Sequence, residues 1–146
     1  MALHFSNQEF SQRKTKVLQS MKEQNLDAVL MFRQESMYWL TGYDTFGYVF
    51  FQTLVLDNKG KIILLTRAPD LRQAQNTSNI EDIRIWVDKD GSNPANDLKN
   101  ILDELSLKGK KIGVEYEAYG LTGRNTLRLN KSLENYCNIE DQSELI

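Results

Sequence analysis

One cysteine, one histidine and two prolines stand among the 146 residues of this sequence. With Cys137 alone, no intrachain disulfide can form, and nothing points to an oxidising compartment. A cytoplasmic location is therefore expected. Any histidine triad or histidine-rich metal site would have to hang on His4, close to the amino terminus. No stretch approaches the roughly 20 consecutive apolar residues of a membrane span. Met1 to Ser6 lacks the charged and apolar regions of a secretory signal, so no membrane partner is expected. Excess positive charge is also missing: 18 Lys and Arg face 20 Asp and Glu, for a net charge of -2. Nucleic-acid binding rests on clustered Lys and Arg, and that footprint is absent.

What the sequence does contain is a core. It is 40% hydrophobic and 26% charged, the composition of one globular domain spanning residues 1–146. A compact chain of this size buries roughly 68–70% of its unfolded surface, enough for a core without disulfides or metals.

Periodicity then divides the chain. Ser6 followed by Glu9 fits a capping box ahead of a helix over about 7–24, with Phe10, Val17, Leu18 and Met21 on one face. The run 27–32 reads as a strand buried on both faces. Ser36 to Leu40 reads as a short helix ended by Gly42, after which an aromatic-rich stretch, 43–51, leads into a strand ending at Leu56. Asp57-Asn58-Lys59-Gly60 has turn chemistry, which predicts an antiparallel hairpin with 61–65. Asp70 is expected to cap a helix to about Gln75, and 83–87 alternates as a strand. Asn93-Pro94 opens a helix carrying Leu98, Ile101, Leu102 and Leu105 at i, i+3, i+4 and i+7. A strand over 111–115, a helix over 122–133 and a strand over 136–139 complete the pattern. The order predicts an α/β fold, a mixed sheet of about six strands flanked by helices.

Few residues carry chemistry. Asp88 to Asn93 resembles the start of a calcium loop, but Gly91 comes too early and the remaining ligands are missing, so a polar turn is expected. Glu115 and Glu117 alternate off a strand end, where they would lie on the same side; a structural or solvated role is expected over an acid/base pair. Cys137 reads as a small buried residue, with no histidine partner to make it a nucleophile. No catalytic residue and no metal ligand is assigned. The unusual segment is Met37 to Tyr48. Tyr38 to Leu40 are expected in the core. Tyr43, Phe46 and Tyr48 are candidates either for core packing or for contact with a ligand or partner chain, because aromatics on a glycine-containing loop serve both ends.

These residues also carry a family resemblance. Phe10-x-x-Arg13, Leu26-Asp27-Ala28-Val29-Leu30, Tyr38-x-Leu40-Thr41-Gly42-Tyr43, the hairpin and Lys111-Ile112-Gly113-Val114-Glu115 occur in an order that resembles the amino-terminal domain of the creatinase, prolidase and aminopeptidase P family. Thr66 to Asp70 and Tyr119 to Thr122 are more similar to the creatinase and ectoine hydrolase branch. The resemblance implies a non-catalytic, ribonuclease H-like domain preceding a carboxy-terminal catalytic domain of the same polypeptide. That domain would hold two divalent metals (Mn, Co or Zn) and act as a metal-dependent C–N hydrolase, an Xaa-Pro dipeptidase or a creatinase-like enzyme. The chain is expected to be a fragment without that domain, and so to need no cofactor itself. The resemblance further implies a homodimer in which Tyr43, Phe46 and Tyr48 border the partner subunit's substrate pocket. The alternative is a stand-alone peptide- or protein-binding module of the same fold.

Overall fold

A computed structural model describes residues 3–146. Six strands form one sheet in the order β4-β3-β2-β1-β5-β6. They are β1 (Ala28–Met31), β2 (Thr53–Asp57), β3 (Ile62–Arg67), β4 (Ile83–Trp86), β5 (Lys111–Val114) and β6 (Asn138–Asp141). The sheet is mixed. β2 runs antiparallel to both β1 and β3, forming the expected hairpin, while β3/β4, β1/β5 and β5/β6 are parallel.

Helices α1 (Asn7–Glu23), α2 (Gln34–Thr41) and α3 (Leu71–Thr77), the last preceded by a 3-10 turn, contribute to a core on one face of the sheet; α4 (Pro94–Glu104) and α5 (Gly123–Leu133) cover the other. Alternation along the strands assigns the two cores. Val29, Met31, Leu54, Leu56 and Leu64 point into the core under α1, α2 and α3, and Ala28, Leu30, Val55, Ile63 and Leu65 into the core under α4 and α5. A strand covered on both faces gains from an apolar residue at every position, which is why β1 reads as an unbroken run rather than an alternating one.

The helices start and stop largely where their end residues require. The Ser6 hydroxyl accepts the Glu9 amide at 3.1 Å, but Glu9 does not complete the capping box; its carboxylate takes the Arg13 guanidinium at 3.1 Å instead. Asn93 accepts from the Ala95 amide at 3.2 Å and Pro94 occupies the first helical position of α4. Gly42 ends α2 with φ +86, a left-handed conformation that glycine adopts without steric cost. Several element ends differ from expectation by one or two residues: α2 begins at Gln34 rather than Ser36, β3 runs to Arg67 rather than Leu65, α3 runs to Thr77 rather than Gln75, β4 ends at Trp86 rather than Val87, and the last strand spans Asn138–Asp141 rather than 136–139.

Candidate functional site

β1 pairs antiparallel with β2 on one side and parallel with β5 on the other. The carboxyl ends of β1 and β5 therefore open side by side, the position at which α/β sheets tend to receive ligands. A cleft of about 470 Å³ lies there, between the β1–α2 turn (Phe32 to Glu35) and the stretch Glu117 to Tyr119, with Tyr48 at its side.

The segment between α2 and β2 supplies that edge and is anchored from below. Tyr43 is fully buried. Its hydroxyl donates to Gln52 Oε1 at 2.8 Å and lies 3.2 Å from Thr66 Oγ1, which itself donates to the same Gln52 oxygen at 3.1 Å. Burial pushes the phenol above its ordinary value of 10.0, so it stays a hydrogen-bond donor at neutral pH. Further along, Thr45 Oγ1 donates to Asp70 at 3.0 Å, and the Arg67 guanidinium pairs with the same carboxylate at 3.3 Å. Arg67 also lies 3.6 Å over the ring of Phe50. Behind them, Trp86 Nε1 donates to the carbonyl of buried Phe51 at 3.0 Å, and Phe51 meets Phe32 edge-on at 5.4 Å.

Above this base the loop turns apolar surface outward. Phe46 is 92% exposed, and Tyr48, Val49 and Phe50 are each 40–46% exposed. Tyr48 packs edge-on against Tyr119 at 5.9 Å, joining the loop to the far wall of the cleft. The three sequence candidates thus separate: Phe46 and Tyr48 have surface to offer a ligand or partner, whereas Tyr43 has none and holds the loop in place.

The opposite wall depends on Glu115. This carboxylate is 1% exposed, accepts the amides of Phe32 and Arg33 at 3.1 Å each, and takes the Ser36 hydroxyl at 2.5 Å. Burial pushes its carboxyl above the ordinary 4.5, against the hydrogen bonds that favour the charge. Glu117, by contrast, is exposed on the cleft. The same-side pair suggested by the alternating spacing is not formed, because the chain leaves the strand after Val114 and period two ends with it. Glu115 is structural. Cys137 is half-buried with its thiol pushed up by burial, which makes it a poorer nucleophile. Among the described residues, no three His, Cys, Asp or Glu converge as a metal site, so the two metals implied by the resemblance have no donor set here. Nor, among the described residues, is any helix long and apolar enough to cross a membrane.

Sequence reasoning missed Asp70 and Gln52. Asp70 does precede α3, but its side chain makes no capping bond and turns to Thr45 and Arg67 instead. An acid before a helix reads as a cap, and no local signal reveals a partner 25 residues away.

A family model described as the creatinase/prolidase N-terminal domain matches residues 13–146. The chain belongs to that family. A relative from Sinorhizobium fredii, named an uncharacterized hydrolase/peptidase, is 31% identical over 140 residues, covering 91% of this chain and 36% of its own length. The chain thus spans about a third of that curated relative. The fold matches an Xaa-Pro aminopeptidase structure from Streptococcus pyogenes at a TM-score of 0.71 and 18% identity, covering 93% of this chain and 95% of that one. A dipeptidase from Pyrococcus horikoshii matches at 0.72 and 22% identity, over 92% of this chain and 35% of that one. A prolidase from Thermococcus sibiricus matches at 0.74 and 16%, over 94% and 35%. In the last two, a creatinase/prolidase N-terminal fold occupies about a third of a longer chain.

Proposed function

We propose that residues 1–146 form the non-catalytic amino-terminal domain of a metal-dependent hydrolase of the Xaa-Pro dipeptidase or creatinase-like class. The catalytic domain and its two divalent metals lie in another part of the same polypeptide. The domain contributes to a homodimer, and its loop over 43–50 borders the substrate pocket of the partner subunit. A cytoplasmic location follows from the cysteine usage. The observation that carries this reading is Phe46: a ring 92% exposed, on a loop whose base is buried and hydrogen-bonded, beside an open cleft. A solvated connection has no use for such a ring, whereas a contact surface does. The coverage of longer peptidase chains by this fold supports the domain assignment.

The test is Phe46→Ala in the full-length protein, assayed on a panel of Xaa-Pro dipeptides together with creatine. Loss of a pocket contact of this kind is worth about 1–3 kcal/mol, or roughly 10–200-fold in kcat/KM. Metal content and melting temperature should stay at parental values. Unchanged kinetics would remove the loop from the active site. A full-length protein inactive on the whole panel and free of bound Mn, Co or Zn would favour a binding module instead.

A further inference from the structure

Phe46 is presented by a loop with little freedom of its own, and the group that restrains it comes from a different part of the chain. We propose that Asp70 is a positioning residue: its buried carboxylate is the template on which the loop over 44–50 is shaped, and so it sets where Phe46 and Tyr48 point.

Three contacts carry the inference. One carboxylate oxygen of Asp70 accepts the Thr45 hydroxyl at 3.0 Å, and Thr45 Oγ1 in turn accepts the amide of Gly47 at 2.9 Å. Gly47 itself lies against the carboxylate, so closely that a Cβ there would come within 2.6 Å of Asp70 Oδ2. The other oxygen holds Arg67, whose guanidinium covers the ring of Phe50. Residues 45, 47 and 50 are thus held by one acid and its cation, and Phe46 sits between two of them with its side chain free. Asp70 makes no helix-capping bond that would account for its burial otherwise. A contact ring on a preordered backbone loses less conformational freedom when it meets a partner, which is the advantage of such a template.

The functional meaning rests on reading the loop as a contact surface, but the geometry can be tested without activity. Amide hydrogen exchange on the 146-residue chain reports Gly47, bonded to Thr45, and Phe50, bonded to the Gly47 carbonyl. In Asp70→Ala, exchange at both should rise by about tenfold or more, while Ser78 at the end of α3 and Val55 in β2 keep parental rates. Asp70→Asn retains an oxygen for Thr45 and should keep Gly47 slow. Thr45→Val leaves Asp70 and Arg67 paired and should free Gly47, which decides the matter if Asp70→Ala does not fold. Parental exchange at Gly47 in Thr45→Val, exchange in Asp70→Asn as fast as in Asp70→Ala, or an increase at Val55 equal to that at Gly47 would each overturn the template. A rigid loop with unaltered Phe46→Ala kinetics would instead overturn only the contact-surface reading.

Discussion

In helix α4, Leu98 and Leu102 keep no exposed surface and Ile101 keeps 4%; in the loop over 43–50, Phe46 keeps 92% and Val49 46%. Both segments are rich in large apolar residues, yet one hides them and the other displays them. The helix needs only its own periodicity: residues three and four apart share a face, and that face meets the sheet. The loop has no periodicity to sort its side chains. Polar residues do the sorting there, with Tyr43 bonded to Gln52 and Thr66, and Thr45 to Asp70, so that the backbone is held while the rings between are left outside. Apolar content by itself therefore does not distinguish a core element from a recognition surface. The bonds beneath it do.

The largest expected effect lies on the helix side. Leu102→Asp would bury an unpaired charge against the sheet and should cost several kcal/mol, a large share of the roughly 5–15 kcal/mol that stabilises a domain. Thermal denaturation followed by circular dichroism checks this, and parental stability would break the contrast at its buried end. Next is Tyr43→Phe, which removes only a hydroxyl but leaves Gln52 and Thr66 short of a partner in the interior. A loss of about 1–3 kcal/mol in urea unfolding is expected. A neutral result would mean that packing of the ring, not the polar base, holds the loop.

The comparison extends to the other wall of the cleft through Glu115. Because burial holds its folded carboxyl above 4.5, the folded state retains a proton that the unfolded chain has already released. Its contribution to stability is thus full below 4.5 and is lost as pH rises through the raised folded value. Glu115→Gln cannot ionise, so over that interval its melting temperature should stay level where the parent's declines. Equal declines in both proteins would assign the pH dependence to other groups. The smallest expected effect is that of Phe46→Ala on stability, within about ±0.5 kcal/mol for a ring so exposed. A loss as large as that of Tyr43→Phe would show that this ring is packed in solution, and the two regions would then be alike.

The architecture was readable in advance because its signals are local. Asn93-Pro94 and the leucine spacing mark α4, Gly42 marks the end of α2, and the apolar run of β1 marks a strand covered on both faces. The order of these elements sufficed for a mixed six-stranded α/β sheet, and the motifs they carry, from Phe10-x-x-Arg13 to Lys111-Ile112-Gly113-Val114-Glu115, carried the resemblance to the family. The boundaries of β6 were less legible because they follow from backbone pairing with β5, and the roles of Glu9 and Asp70 because each depends on which of several partners a side chain selects. The same limit applies with more force to Tyr43, Phe46 and Tyr48. Their identity as one aromatic cluster is a property of the linear chain, whereas their division into anchor and display is not. That division depends on Gln52, Thr66 and Asp70, which lie 9 residues from Tyr43, 23 from Tyr43 and 25 from Thr45 along the chain. Only the folded sheet brings them under the loop. Repeated spacing along a chain can encode a buried face, but exposure of a single ring is set by what tertiary packing places beneath its backbone.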